Sequence, residues 1–307
     1  MKCSWQLEGD LSQFATWMSE SVELIAEGVR AERAGALDRA LEAYVAAAIS
    51  AVDSDTIAEA LTHQADVHRT RCDWDSALLA ARRAQEIAKS AGLSTRHAEA
   101  VIAETNILMS RGEFELAIPM LEEIAAAGSD PRLRGIALQN LGSVHAQSGR
   151  LRAAERAFGE SLGNFHKAGY SRGEAIALNN LGRLALDSND PTRSRPLLER
   201  ALTLAREVED LDLAALVGLN LASALCATGE IDRSQDLAMA ALGHFAGCKN
   251  SWREIECLRL MGDINVKCED IANAARCYDL ALKLAEQVGS DVEIHATRDR
   301  IAALPRR

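Results

Sequence analysis

Small and apolar residues recur along this chain in blocks that lie forty residues apart. The block Ala137–Gly149 (ALQNLGSVHAQSG) returns as Ala177–Asn189 (ALNNLGRLALDSN) and again as Val217–Gly229 (VGLNLASALCATG). Self-similarity at a fixed period of this size is typical of stacked repeat proteins. The pattern therefore predicts an all-α chain that is built from repeated pairs of helices.

Turn residues divide the chain into seven repeats, at intervals of 37, 40, 37, 40, 40 and 40 residues: Gly35, Cys72, Gly112, Gly149, Asn189, Gly229 and Glu269. A mostly small residue lies seven positions before each of them: Gly28, Ala65, Thr105, Gly142, Gly182, Ala222 and Gly262. Small side chains at a fixed offset allow two helices to approach closely. Each repeat is therefore predicted to contain a helix A, a tight turn and a helix B.

The two ends of the chain differ from the repeats. Residues 1–20 carry a helical apolar stripe and are predicted to form an N-terminal capping segment. Residues 21–290 hold the seven repeats, and residues 291–307 are predicted to form a C-terminal capping helix and a tail.

Composition and charge narrow the class of protein. The formal net charge is −11, and no basic stripe is present that could neutralise phosphates, so we expect no nucleic-acid partner. The seven cysteines are odd in number and have no CxxC spacing. They are interpreted as reduced thiols of a cytoplasmic protein, mostly buried as small hydrophobic residues.

One stretch approaches the length of a membrane span. Residues 213–229 carry no charge, but they include Asn220, Ser223 and Thr228 and follow the register of the other repeats. We interpret this stretch as a buried helix and expect no membrane partner.

Motifs for catalysis are missing from the sequence. It has no glycine-rich phosphate loop, no GxSxG and no HExxH. His145 lies at a packing position of its helix, and His63 and His68 are five residues apart, a poor spacing for binding one metal ion. The sequence therefore favours a protein that is not an enzyme and has no cofactor and no metal site.

The repeats resemble the tetratricopeptide repeat family over residues 21–304. Asn140-Leu141-Gly142, the turn residue Gly149, and then Ala154 and Phe158 match the family pattern. The period exceeds the usual repeat of roughly 34 residues. It is similar to the longer variety in kinesin light chains, in LuxR-type ATP-binding transcription activators and in bacterial peptide-pheromone receptors. The resemblance implies an α-solenoid, a right-handed superhelix of about seven repeats with capping helices.

Repeats 1 to 3 depart from the family pattern, because Glu27, Gln64 and Glu104 replace its leucine. The family also implies a concave groove that is faced or bordered by helix-A positions two, five, six, nine, twelve and thirteen, where the small residue before each turn is position eight. Over repeats 4 to 6 the candidate peptide-binding residues are Ile136, Gln139, Asn140, Ser143, Ile176, Asn179, Asn180, Arg183, Leu216, Asn220 and Ser223.

Asn140, Asn180 and Asn220 all occupy position six. Neighbouring helices lie about 8–10 Å apart and an extended peptide advances about 3.3 Å per residue, so the three amides could meet every third peptide bond. The alternative is structural, with these amides tying adjacent helices together. In repeats 4 to 7 the lysine at position five and the asparagine at position nine that form the carboxylate clamp of chaperone-binding members are absent.

Two classes of function stay open. The first is a scaffold or adaptor that binds a peptide segment of another protein through the groove of repeats 4 to 6. The second is the ligand- or peptide-sensing part of a bacterial signalling or transcription system.

Overall fold

A computed structural model of the chain describes residues 20–127 and 130–305, and every element in these ranges is an α-helix. The all-α prediction is therefore confirmed for the described part of the chain. Residues 1–19, and with them nearly all of the predicted N-terminal capping segment, lie outside the described residues. The helices are α1 (described over 20–33), α2 (Leu37–Ser50), α3 (Ser54–Thr70), α4 (Trp74–Ser90), α5 (Ser94–Ser110), α6 (Phe114–Ala127), α7 (Pro131–Gln147), α8 (Leu151–Lys167), α9 (Ser171–Asp187), α10 (Pro191–Glu207), α11 (Leu211–Thr228), α12 (Ile231–Gly247), α13 (Ser251–Lys267), α14 (Ile271–Val288) and α15 (Asp291–Ala302).

Contacts divide the chain into two compact units, Met1–Arg150 (unit 1) and Leu151–Arg307 (unit 2). Within each unit, consecutive helices pack against each other, from α2 to α7 in unit 1 and from α8 to α15 in unit 2. Within the units, α3 also contacts α5, α5 contacts α7, α9 contacts α11 and α11 contacts α13. These odd-numbered helices are the A helices of the predicted repeats. The boundaries predicted for the repeat region and its two caps stay predictions.

Left-handed turn residues end the A helices. All seven turn residues identified in the sequence have positive φ angles, between 57° and 90°. This conformation lets the backbone N–H groups that follow the helix reach its last carbonyls, as Glu230 N does to Leu225 O at 2.9 Å. Cys72, Asn189 and Glu269 adopt it without being glycine, at a cost of about 1–2 kcal/mol each. The helical register on either side of the turn therefore outweighs the local preference of these residues.

Helices A and B approach closely at position eight. A Cβ atom added to Gly182 of α9 would lie 2.6 Å from Leu198 Cγ of α10, well inside van der Waals contact. A Cβ atom added to Gly28 would likewise overlap the ring of Tyr44, and one added to Gly262 would overlap the ring of Tyr278. The large side chain of helix B therefore occupies the space that a side chain at position eight would need.

The polar residues that replace the family's leucine in the early repeats have partners on helix B. Glu104 of α5 is only 6% exposed, and its carboxylate accepts hydrogen bonds from Arg82 Nε at 2.8 Å and Gln85 Nε2 at 2.7 Å. Gln64 of α3 donates to the carbonyl oxygen of Tyr44 at 3.1 Å. Hydrogen bonds thus replace apolar packing at this position.

Among the described helices, α11 alone is long and apolar enough to cross a membrane, with a mean hydropathy of 1.6. Half of that stretch is buried inside the protein, where Val217, Leu221 and Leu225 join the core formed with α9 and α10. This burial supports the interpretation of α11 as a core helix.

Gly182→Ala tests the close approach of the two helices. The new methyl group would meet Leu198, and overpacking of this kind costs about 1–3 kcal/mol. We therefore expect a lower free energy of unfolding in urea denaturation. Gly243→Ala on α12 is the matched control, because nothing lies within 4 Å of its Cβ position. The control should gain up to about 1 kcal/mol from helix propensity, and equal effects of the two substitutions would contradict the packing described here.

Candidate functional site

The predicted groove residues occupy one side of the A helices in both units. We call the residues at positions two, five, six and nine of the A helices of one unit its helix-A face. Unit 1 contains four of the predicted residues on α7, namely Ile136, Gln139, Asn140 and Ser143. Unit 2 contains the other seven, with Ile176, Asn179, Asn180 and Arg183 on α9 and Leu216, Asn220 and Ser223 on α11. Nine of the eleven are half-buried, while Asn179 is buried and Arg183 is exposed.

Two of the three position-six asparagines tie A helices together. In unit 2, Asn220 Nδ2 of α11 donates to Asn179 Oδ1 of α9 at 2.8 Å, and Asn179 is 4% exposed. In unit 1, Asn140 Nδ2 of α7 donates to Asn106 Oδ1 of α5 at 2.8 Å. The structural alternative is thus supported for these two amides. Each retains a second N–H group and acceptor capacity on its oxygen, so a role in binding stays a prediction.

Asn180 differs from the other two asparagines. Its half-buried side chain forms no hydrogen bond with any residue in the described ranges. Arg183 lies three residues further along α9, is exposed, and forms no ion pair within the same ranges. Ile176 on α9 and Leu216 on α11 add half-buried apolar side chains to this face. Unit 2 therefore presents an uncommitted amide and an uncommitted cation together with two apolar side chains.

Of the remaining predicted polar residues, the two serines already form hydrogen bonds and the glutamine side chain forms none within the described ranges. The hydroxyls of Ser143 and Ser223 donate to carbonyl oxygens of their own helices, at 3.1 Å to Gln139 and 3.3 Å to Leu219. Gln139 Oε1 is buried and accepts no hydrogen bond from the described part of the chain. The serines can still accept a hydrogen bond, and Gln139 has an acceptor to offer.

Repeat 7 has no free polar residue at positions five and nine. Arg259 of α13 forms an ion pair with Glu293 of α15. Asp263 accepts hydrogen bonds from Tyr278 Oη at 2.7 Å and from Arg300 Nε at 3.1 Å. Burial raises the pKa of the Tyr278 hydroxyl above its usual value, and the hydrogen bond to the Asp263 carboxylate raises it further. Glu293 and Arg300 of the last helix, α15, therefore pair with the charged residues of α13 at the end of the helix-A face of unit 2.

Unit 1 has a cavity of about 300 Å³ on its helix-A face, between α3, α5 and α7. Arg96 is its central cation and contacts three carboxylates, Asp55 at 2.9 Å, Glu59 at 2.7 Å and Glu99 at 3.0 Å. The hydrogen bond from Arg96 lowers the pKa of Asp55 below its usual value, although Asp55 is also partly desolvated. The other polar and apolar residues that line the cavity are Thr62, His63, Asp66, Ile102, Ala103, Asn106, Arg132, Leu133 and Ile136.

Sequence reasoning missed most of this cavity. Glu59 and Glu99 occupy position two, and Asp66 and Asn106 occupy position nine, so the numbering used for repeats 4 to 6 could have found them. Arg96 lies outside that numbering, near the start of α5. On the helix-A faces, no three described His, Cys, Asp or Glu side chains bring ligand atoms close enough to hold a metal ion.

Comparison with known proteins gives the family of the central repeats. Residues 134–207 match the family described as Tetratricopeptide repeat. This segment contains tetratricopeptide repeats. The predicted resemblance is thus confirmed for this segment. Among curated proteins, no sequence matches the chain.

Several solved structures share the fold. One is a Rap protein complexed with competence and sporulation factor, with a TM-score of 0.66, 16% identity, and coverage of 88% of this chain and 76% of that one. The apo quorum sensor NprR from B. thuringiensis also has a TM-score of 0.66, at 14% identity and coverage of 91% and 82%. Aspartyl phosphate phosphatase F from Bacillus subtilis has a TM-score of 0.66, at 15% identity and coverage of 94% and 75%. At these identities the likeness shows the fold alone, and it confirms the α-solenoid class.

The bond between Asn179 and Asn220 can be tested with a double-mutant cycle. Asn220→Ala leaves the buried Asn179 Oδ1 without its donor, so we expect a loss of about 1–3 kcal/mol in the free energy of unfolding. Asn179→Ala should cost a similar amount, and the double variant should lose less than the sum of the two. Strictly additive losses in urea denaturation would show that the two amides are not coupled.

Proposed function

We propose that this tetratricopeptide repeat chain is an interaction module that binds an extended segment of a partner protein on its helix-A faces. The observation that carries the proposal is Asn180, a half-buried amide without a hydrogen-bond partner in the described ranges. It follows Asn179, the acceptor of the bonded pair Asn179 and Asn220, along α9. A half-buried polar group without a structural partner is suited to bind a ligand.

The spacing of the A helices suits an extended segment. Adjacent helices lie about 8–10 Å apart, which is close to the length of three residues of extended chain. Asn180 can both donate to and accept from a peptide bond, so it can recognise the backbone whatever the side chain. Ile176 and Leu216, on adjacent A helices, can each seat an apolar side chain of the partner.

The helix-A face of unit 1 supports the same kind of partner with different chemistry. Its cavity is lined by Glu59, Asp66 and Glu99 together with Arg96 and Arg132, a balance that is acidic by one charge. A segment with a Lys or Arg side chain would be favoured there. On α7, Ile136, Gln139, Asn140 and Ser143 extend the proposed binding surface of this unit.

A sensing role is the second candidate, and the structural likenesses favour it. A Rap protein complexed with competence and sporulation factor and the quorum sensor NprR share this fold. A sensor would retain a free peptide or small ligand, whereas a scaffold or adaptor would retain a whole protein. Mass spectrometry of the material that the chain captures from a lysate separates the two.

The module acts in the cytoplasm and is not an enzyme. We place it in the cytoplasm, because the six cysteines in the described ranges are free thiols, as expected in a reducing compartment. The helix-A faces show no pairing of a nucleophile with a base among the described residues, which supports a non-catalytic role. The net charge of −11 argues against a nucleic-acid partner, and the missing clamp argues against chaperone tails.

Asn180→Ala tests the proposed site. A displayed library of linear peptides would be selected against the wild-type chain, and the affinity of a selected peptide would be measured by fluorescence anisotropy. Loss of the Asn180 amide should weaken binding about tenfold, equivalent to about 1.4 kcal/mol, without a change in thermal stability.

Asn164→Ala is the matched control for that experiment. Asn164 is also half-buried and belongs to unit 2, but it lies on the B helix α8 and donates only to Glu160 O of its own helix. It should leave the affinity unchanged. If the folded Asn180→Ala variant bound the peptide as tightly as the control did, the site would lie elsewhere.

A further inference from the structure

Three potential metal ligands converge at one end of repeat 6, away from the helix-A face of unit 2. Asp212 lies in the first turn of α11, His244 in the last turn of α12, and Cys248 directly after α12. Asp212 Oδ1 is 2.7 Å from His244 Nε2, and Cys248 Sγ is 3.8 Å from the same nitrogen. All three ligand atoms lie within 4.8 Å of one another.

These residue types replace packing residues of the neighbouring repeats. Forty residues before and after His244 stand Leu204 and Leu284, and the equivalents of Cys248 are Val208 and Val288. Three of these four side chains, Leu204, Leu284 and Val288, pack against the apolar clusters of their repeats. Repeat 6 therefore has an imidazole and a thiol where its neighbours have aliphatic side chains.

Capping of the helix does not require Asp212. Asp210 is the N-cap of α11, accepts from Leu213 N at 3.0 Å, and also binds Arg172 at 2.7 Å. The Asp212 side chain is 81% exposed and has His244 as its partner. Its carboxylate is therefore free to turn toward a metal ion that His244 also binds.

The geometry separates metal binding from a proton relay. In a Cys-His-Asp triad the carboxylate holds one ring nitrogen and the thiol faces the other. Here both groups meet Nε2, so His244 cannot pass a proton from one to the other. Convergence of a thiol, an imidazole and a carboxylate on one point is the arrangement of a metal site.

We propose that Asp212, His244 and Cys248 bind a divalent transition-metal ion of the zinc class. Zn²⁺ takes S, N and O ligands at about 2.0–2.3 Å in a tetrahedron, so its ligand atoms stand roughly 3.3–3.6 Å apart. The sulfur to nitrogen distance is close to this range, and rotation of the exposed Asp212 side chain brings its oxygen into it. A water molecule completes the tetrahedron, and binding releases the thiol proton to solvent.

Such an ion would join the start of α11 to the end of α12, at the end of the helix pair opposite its turn at Gly229. Cysteine and histidine ligands with one carboxylate leave the bound Zn²⁺ site close to neutral. The proposal is independent of peptide binding, because none of its ligands belongs to the helix-A face.

Cobalt substitution tests the site on the full chain. Titration with Co²⁺ should give one ion per chain with a thiolate-to-metal absorption band in the near ultraviolet, and Zn²⁺ should displace it. Cys248→Ser should abolish the band, while His244→Gln and Asp212→Asn should weaken Co²⁺ binding about tenfold or more. Asp212→Asn is especially informative, because a side chain this exposed contributes little to folding.

Cys268→Ser is the matched control, since Cys268 is an exposed cysteine of the same unit and belongs to no ligand cluster among the described residues. It should keep the full band, and Zn²⁺ should raise its melting temperature as much as that of the unchanged chain, because a ligand that binds the folded state stabilises it. A chain that shows no thiolate band with Co²⁺, or a band that survives Cys248→Ser, would overturn the proposal.

Discussion

Close contact between helices A and B at position eight is the constraint on which the rest of this structure depends. At Gly28, Gly182 and Gly262 a large side chain of helix B occupies the space where a Cβ atom would stand. That contact fixes the rotation of helix A about its own axis. Because this rotation sets the direction of every side chain on helix A, the contact also determines which residues can form a helix-A face.

Once the helices are fixed in this way, hydrogen bonds between neighbouring A helices decide which polar residues remain free. Asn220 and Asn140 each reach the preceding A helix of the same unit, whereas Asn180 has no partner in the described ranges. Two asparagines thus contribute to the stack, and the amide of Asn180 has no such role among the described residues. Similar residues at equivalent positions have different roles because their neighbours differ.

Much of the fold could be predicted from the sequence, because its determinants are local and recur. The seven turn residues were found from spacing alone, and all of them are left-handed, including Cys72 and Glu269.

The candidate site was less predictable than the fold. Which asparagine pairs depends on the residue that an adjacent helix presents, and Asn140 meets position nine of its neighbour while Asn220 meets position five. Sequence periodicity does not encode that offset. The cluster of Asp212, His244 and Cys248 was missed because Asp212 is 32 residues from His244 and comes close only through the pairing of α11 with α12.

Hydroxyl-radical footprinting with a selected peptide tests the central claim most directly, because it reports which side of the helices the ligand covers. Ile176 and Leu216 on the helix-A face of unit 2 should lose labelling when the peptide binds. Met239 on α12 and Leu280 on α14 are 50% and 53% exposed and should keep theirs. Protection of Met239 or Leu280, with Ile176 and Leu216 unchanged, would contradict the account and place the binding surface on the B helices.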